Sequence, residues 1–262
     1  MRRYLTIYRA FFKNSLIREM QFRSHFWIFV VVNLIWAGMA MITFRFIFNQ
    51  TNQVGGWTFP AILVLTATYY LFDRIFQLLF EVNFSRINYL VNSGDLDLIL
   101  TKPVSGQFFI SLRQVSLPHL FVILPLLITL IWLIKIYFWP IALINILAYG
   151  FLLLCGLVIV YSFWFMTLTA VFWLGNIENI VYLFGSVYEV SRIPADVTGL
   201  VLRPLLTYFL PLAFVATVPT QVLTGQINFG LVVFGVLAAA FWLWVSRLVW
   251  QLALRHYSSA SS

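Results

Sequence analysis

The chain has 262 residues, of which 62% are hydrophobic, 19% are aromatic and only 9% are charged, and its formal net charge is +8. A soluble domain has about 25% charged residues, so this composition excludes a soluble enzyme and indicates a polytopic membrane protein. The apolar runs are far too long for the strands of a transmembrane barrel, which predicts an all-α fold.

The N-terminal residues 1–25 are basic and amphipathic. In a helix, Tyr4, Ile7 and Phe11 would share one side, while Arg9 and Lys13 would share the other. Such a helix lies in the plane of an anionic membrane surface, so this segment is predicted to be an interface helix in contact with membrane lipid. A signal peptide is excluded because the following apolar run is too long and has no small-residue cleavage site.

The apolar runs predict six membrane-spanning helices, since one crossing needs roughly 20 apolar residues and most of the runs are at least that long. The predicted spans are residues 26–48, 58–80, 114–134, 141–172, 180–191 and 228–250. The fifth is the weakest, because so short a helix cannot cross a hydrocarbon core of about 30 Å.

Charged residues inside a span are costly and usually functional, and the second span contains Asp73 and Arg74. They are either a functional pair in the membrane, or a pair near the cytoplasmic end in which Arg74 reaches the interface and Asp73 bonds a neighbouring helix. His119 in the third span is either a satisfied core residue or a proton relay. Glu178 and Glu189, beside the fifth span, complete this set of intramembrane polar candidates.

A polar connection over residues 81–106 joins the second and third spans. Gly94 can adopt the positive φ of a turn, and Asp95 is placed to cap a helix N-terminus. The helix would end at Lys102 and Pro103, with a cation near its C-terminus. Its apolar positions are Leu96, Ile99 and Leu100. The pattern predicts either a short amphipathic helix that another protein grips or a solvated turn at the lipid surface.

This connection also follows the pattern G-x-L-D-x-x-L-x-K-P-V. Its matching residues are Gly94, Leu96, Asp97, Leu100, Lys102, Pro103 and Val104. Together with the hydropathy plan, the proline-rich stretch before the last span and the basic C-terminal end, the pattern resembles the permease subunits of type-2 ABC exporters, and among them the small six-span bacterial permeases. The resemblance covers nearly the whole chain.

The resemblance implies a transport subunit of an ATP-driven exporter in the bacterial inner membrane. The connection would be the coupling helix that docks on an ATP-binding subunit, through Gly94, Asp95, Leu96, Asp97, Leu100, Lys102 and Pro103. A second permease, identical or related, would complete the pathway. ATP and Mg²⁺ would bind the partner ATPase, and residues 192–225 would form outer re-entrant helices that cap the pathway. The aromatic and aliphatic content favours a lipophilic substrate.

The basic residues indicate the orientation of the chain. One side of the predicted bundle holds Arg2, Arg3, Arg9, Lys13, Arg18, Arg23, Arg86, Lys102, Arg113, Arg247 and Arg255, and the other holds Arg45, Lys135, Arg192 and Arg203. The more positive side is expected to be cytoplasmic, with both termini inside. Because the bases flank apolar spans, they indicate topology and not a nucleic-acid partner.

No G-x-x-x-x-G-K-[ST] phosphate loop occurs, so the chain itself is not the ATPase, and no catalytic constellation or metal-binding motif is present. Three alternatives remain open at this point. The chain could be an ion-driven secondary transporter that uses Asp73 and His119, a lipid-modifying membrane enzyme, or a structural membrane subunit. The scattered acidic residues give the enzyme little support.

Overall fold

The computed structural model describes residues 2–19 and 23–257, and every regular element in these two ranges is a helix. Within them, five helices are long and apolar enough to cross a membrane. The predicted all-α membrane fold is therefore confirmed, although five helices and not six meet this standard. In chain order the helices are α1 (Arg2–Glu19), α2 (Arg23–Phe48), α3 (Phe59–Phe84), α4 (Ile87–Asn92), α5 (Leu96–Leu100), α6 (Gly106–Leu112), α7 (Pro118–Tyr137), α8 (Leu143–Thr169), α9 (Val171–Leu174), α10 (Glu178–Glu189), α11 (Gly199–Pro204), α12 (Thr217–Leu223) and α13 (Phe229–His256).

Five of the predicted spans coincide with long helices, namely α2, α3, α7, α8 and α13. The predicted fifth span falls on α10, which has only 12 residues and continues as one short 3₁₀ turn over Val190–Arg192. Its length is below what one straight crossing needs.

Helix α3 is the centre of the bundle. It packs against α2 and α7 on one side and against α8 on the other, and its residues Val64, Leu65 and Ala67 are fully buried. The hydroxyl groups of Thr68 and Tyr149 lie 3.2 Å apart and join α3 to α8 within this core. In contrast, α2 exposes large apolar side chains such as Trp36 and Phe46, as expected for a helix that faces lipid or another subunit.

The N-terminal helix α1 packs against the connection that contains α6. The backbone N–H of Val115 donates to the Ser15 hydroxyl oxygen at 3.0 Å, and the Phe11 and Phe109 rings meet edge to face at 5.3 Å. The apolar side of the predicted interface helix is therefore held at least partly by protein. Residues 1 and 20–22 of that predicted segment lie outside the described part of the chain.

The segment before α13 is broken into short helical pieces, as its prolines predict. Helix α11 has no buried residue, whereas most of α12 is buried against α8. Phe214, between them, is fully buried, and a Cβ atom added at Gly156 or Gly235 would lie 2.5 Å from it. These two glycines of α8 and α13 therefore make the room that Phe214 occupies.

Asp196 fixes this segment to the loop between α2 and α3. Its carboxylate accepts hydrogen bonds from the Trp57 indole N–H at 3.0 Å and the Gln221 amide at 2.8 Å. Arg203 forms an ion pair with the same carboxylate at 2.9 Å. The loop, α11 and α12 thus meet at one acidic side chain, at the end of the bundle opposite to α6.

Candidate functional site

The first candidate site is the connection between α3 and α7, residues 85–117, which we call the coupling segment. It contains the short helices α4, α5 and α6. Gly94 has a φ of 80°, a left-handed conformation that glycine adopts without strain. The predicted cap at Asp95 is wrong, because its side chain makes no capping hydrogen bond and its backbone is helical. Instead, the Asp95 N–H donates to the Ser93 hydroxyl oxygen at 3.4 Å.

Helix α5 is held in place by two apolar side chains and exposes a third. Leu96 and Ile99 are buried, with exposures of 0% and 3%, whereas Leu98 is 68% exposed. Leu96 belongs to the pattern that the resemblance assigns to docking, but its burial removes it from the surface. Leu98, which the sequence interpretation did not single out, is the most exposed apolar side chain of α5. Leu100 lies at the border, with an exposure of 36%.

Lys102 and Pro103 are exposed just beyond the end of α5. The Lys102 ammonium group lies 4.3 Å from the centre of the Phe109 ring, and the Arg113 guanidinium carbon lies 5.5 Å from the same centre. Two cations therefore lie over one ring of α6, an arrangement that stabilises them at a protein surface. Both cations are exposed, so they give the surface of the coupling segment a basic patch.

The C-terminal end of α13 also meets the coupling segment. Tyr257 follows α13, and its hydroxyl group lies beside the Asp97 carboxylate of α5. Burial, and then the neighbouring Asp97 carboxylate, raise the pKa of Tyr257. Two turns earlier, Trp250 packs over Gly106, where an added Cβ would lie 3.5 Å from the indole ring. Helices α5 and α6 are thus in contact with α1 and with the C-terminal end of α13.

The second candidate site is a cavity of about 890 Å³ between α3, α8 and α10, which we call the polar groove. Ligand pockets are commonly about 300–1,000 Å³. Four-residue spacing places one stripe of α3 side chains along its wall. They are Tyr69, Asp73, Gln77, Glu81 and Ser85. Within a helix as apolar as α3, this stripe supplies hydrogen-bonding groups over four turns.

Asp73 and Arg74 lie in the middle of the bundle and form an ion pair with each other. Asp73 accepts hydrogen bonds from the Gln77 amide at 2.9 Å and from the Tyr188 hydroxyl of α10 at 3.3 Å. Arg74 donates to the Asn33 side-chain oxygen of α2. The interpretation that Asp73 bonds a neighbouring helix is confirmed. The Arg74 side chain is only 12% exposed and is held within the bundle by Asp73 and Asn33, so it does not reach the interface.

His119 is fully buried, and its Nε2 atom lies 2.7 Å from the Glu81 carboxylate. Its ring also meets Phe29 edge to face at 4.8 Å. Because Glu81 is two turns from Asp73 along α3, the structure does not bring His119 and Asp73 together. The pair on which an ion-driven transporter would depend is therefore not formed.

Glu178 and Glu189 lie at the two ends of α10 and line the polar groove. Glu189 forms an exposed ion pair with Arg192 at 3.2 Å. Arg192 also donates through its Nε atom to the Tyr69 hydroxyl oxygen at 3.2 Å. The Glu178 carboxylate has no hydrogen-bonding partner among the described residues. All the intramembrane polar candidates except His119 thus line one cavity.

The sequence interpretation missed Gln77, Tyr188 and Tyr69 as site residues. Gln77 and Tyr69 could have been found, because both are four residues from Asp73 and therefore on the same helix face. Tyr188 could not, since its hydroxyl reaches Asp73 from a separate helix.

Comparison with known protein families gives one match that covers most of the chain. The family model described as "ABC-2 family transporter protein" matches residues 34–261. Neither the comparison with curated proteins nor the comparison with solved structures found a match.

Proposed function

This chain belongs to the ABC-2 family of transporter proteins, as a membrane permease component, and from this premise we propose that it is the pathway-forming subunit of an ATP-driven exporter. Separate ATP-binding subunits would dock on the coupling segment, and they would bind the ATP and Mg²⁺. An ATP-driven partner, and not an ion gradient, would then supply the energy for transport.

The observation that supports docking most directly is the exposure of Leu98 on an anchored helix. Leu96 and Ile99 hold α5 against the bundle, so a force applied at Leu98 acts on the bundle and not on a loose loop. A large exposed apolar side chain beside basic groups is typical of a protein interface. Asp95, Leu98, Lys102 and Pro103 would form the docking surface.

The contacts of α1 and α13 explain how such a force would spread. α1 is bonded to the coupling segment at Val115, and the end of α13 meets it at Asp97. A displacement of α5 and α6 would therefore move the first and last helices together. Such rigid-body motion of packed helices is an established type of conformational switch.

We infer six crossings, with both termini cytoplasmic, from the same contacts. Helix α1 and the C-terminal end of α13 both meet the coupling segment, so an even number of crossings between them is expected. Asn92 of that segment bonds the Gly175 carbonyl at 3.3 Å, whereas Asp196 bonds Trp57 at the opposite end of the bundle. The chain between Gly175 and Asp196 would then cross the membrane as α10. The 12 residues of α10 and the three residues of the 3₁₀ turn that follows it span about 24 Å along the helix axis. Residues 192–225 would then be the outer, re-entrant segment.

A second permease subunit would complete the pathway beside α10. Tyr182 and Leu183 of this helix are 82% and 67% exposed. Together with the short length of α10, these exposed side chains support contact with another subunit in the bacterial inner membrane. Two bundles that face each other would enclose the polar groove.

The experiment is to purify the chain from its native membrane in mild detergent and to identify what is bound. We expect a stoichiometric ATP-binding subunit, which charge reversal at Lys102 weakens. A chain that is purified alone, and that transports when reconstituted alone under an ion gradient, would contradict the proposal.

A further inference from the structure

We propose that the polar groove binds organic cations with an apolar body, which would make lipophilic cations the substrate class of the exporter. This inference rests on the proposed function, since it assigns the cargo of the same pathway. It is carried by the charge of the groove, by two polar stripes that face each other, and by the aromatic groups between them.

The charge of the groove is opposite to that of the protein. Among the described residues that line this cavity, four are acidic and two are basic. The acidic residues are Asp73, Glu81, Glu178 and Glu189, and the basic ones are Arg74 and Arg192. A chain with a net charge of +8 thus encloses a cavity in which acidic groups are in excess.

The two basic groups are already neutralised by partners in the groove. Arg74 is paired with Asp73, and Arg192 with Glu189. Glu81 contacts the His119 ring, and the Glu178 carboxylate has no partner among the described residues. The negative charge that remains lies near one end of the groove, where α10 begins.

The two polar stripes continue this preference along the groove. On α10, Glu178, Tyr182, Ser186 and Glu189 all line the cavity, at a spacing that keeps them on one helix face. They lie opposite the α3 stripe described above. Acidic groups therefore occur at both ends of α10 and at two turns of α3. Of these, Glu81 and Glu178 have no arginine partner among the described residues, so a cation would be attracted most strongly to them.

The groove walls between these stripes are aromatic. Phe76, Phe84 and Trp164 line the cavity, and the Phe76 ring lies 6.5 Å from that of Trp164. Aromatic faces attract cations and bury apolar groups at the same time. A cavity of about 890 Å³ is much larger than an inorganic ion needs, so the groove is suited to a bulky organic cation.

The test uses tetraphenylphosphonium and tetraphenylborate, two ions of the same shape and opposite charge. Equilibrium dialysis of the purified permease in detergent would measure the binding of each, after subtraction of protein-free micelles. We expect saturable binding of the phosphonium ion and much weaker saturable binding of the borate. Equal binding of the two, or a preference for the borate, would overturn the proposal.

Variants of Glu178 locate the site. Glu178→Gln should weaken phosphonium binding about three- to tenfold, as expected for the loss of one charge beside a partly buried cation. Glu178→Asp should retain it. Lys135→Gln, which also changes one charge but at an exposed position outside the groove, should not weaken it. An unchanged affinity in Glu178→Gln would contradict the assignment. If that variant does not fold, phosphonium binding by Glu189→Gln is measured in its place. The comparison of the two ions in the wild-type protein decides in either case whether the groove prefers cations.

This outcome is separate from that of the proposed function. Purification with an ATP-binding subunit does not depend on the groove. A complex that contains this subunit but prefers the borate would overturn the substrate class alone, whereas a cation-binding chain without the subunit would overturn the ATP-driven mechanism.

Discussion

The hydroxyl group of Tyr257 lies against the carboxylate of Asp97, so the residue that follows α13 contacts the short helix α5. Burial, and then the Asp97 charge, raise the pKa of this tyrosine above its ordinary value of 10.0. The neutral hydroxyl therefore contributes stability at every pH below that value, and the contribution is lost only as the pH rises through the folded-state pKa. In the physiological range the Tyr257 hydroxyl therefore stays neutral beside the Asp97 carboxylate.

Tyr257→Phe removes this contact and keeps the ring that packs on Phe172 at 5.5 Å. We expect a change in stability below about 1 kcal/mol, because the hydroxyl has no direct hydrogen-bond partner among the described residues. We also expect a weaker stimulation of the ATPase by substrate, while the ATP-binding subunit stays bound. The measurement is ATP hydrolysis by the purified complex, with and without substrate. Tyr137→Phe, at the other end of the bundle, is the matched control. Equal stimulation in the two variants would show that Tyr257 does not transmit motion.

Asp73→Asn leaves Arg74, whose side chain is only 12% exposed, without its charged partner. Loss of one partner of a buried pair costs about 3–5 kcal/mol, so we expect a lower thermal unfolding temperature in detergent. The double variant Asp73→Asn with Arg74→Gln should recover part of this loss, because no unpaired charge remains. Full stability of the single variant, together with abolished transport, would instead indicate the ion-coupled role.

Asp196→Asn weakens the contacts among Trp57, Gln221 and Arg203. We expect destabilisation of about 1–3 kcal/mol, measured by thermal unfolding. The binding of the ATP-binding subunit should not change, since Asp196 is at the end opposite to the coupling segment. A variant that unfolds at the wild-type temperature would contradict this role of Asp196.

Single cysteines test whether α10 crosses the membrane. The chain has one natural cysteine, Cys155, which is buried, so Cys155→Ser gives a background for labelling. In intact cells we expect an impermeant maleimide to label Leu200→Cys, which lies at a position that is 97% exposed. Asn176→Cys should be labelled only after permeabilisation. Labelling of both positions from the same side would contradict the six-crossing proposal.

The long spans could be predicted from sequence because each is an apolar run bounded by polar turns, and α2, α3, α7, α8 and α13 coincide with them. The position of the short α10 could be predicted from its apolar run. Whether it crosses the membrane could not, since its length alone does not distinguish a crossing from a surface helix. The polar face of α3 could also be predicted from the sequence, because Asp73 and Glu81 are two turns apart on one helix face.

The side-chain contacts of the coupling segment could not be predicted from the sequence, for a physical reason. A five-residue helix has apolar residues on more than one side, and its sequence does not say which side meets the bundle. Leu96 is buried and Leu98 is exposed because of contacts with distant parts of the chain. Asp95 does not cap α5 because Gly94 already turns the chain there and leaves the Asp95 backbone helical. The contact between Asp97 and Tyr257 joins residues that are 160 positions apart.

The measurement that tests the account most directly compares Leu98→Arg with Leu96→Ala in the complex purified from the native membrane. Leu98→Arg should abolish the binding of the ATP-binding subunit and leave the unfolding temperature unchanged, because the side chain is exposed. Leu96→Ala should lower that temperature, with a cost of about 2–5 kcal/mol for a buried leucine. If Leu98→Arg retains the subunit and its ATP-driven transport, the coupling segment is not the docking surface and the central claim is wrong.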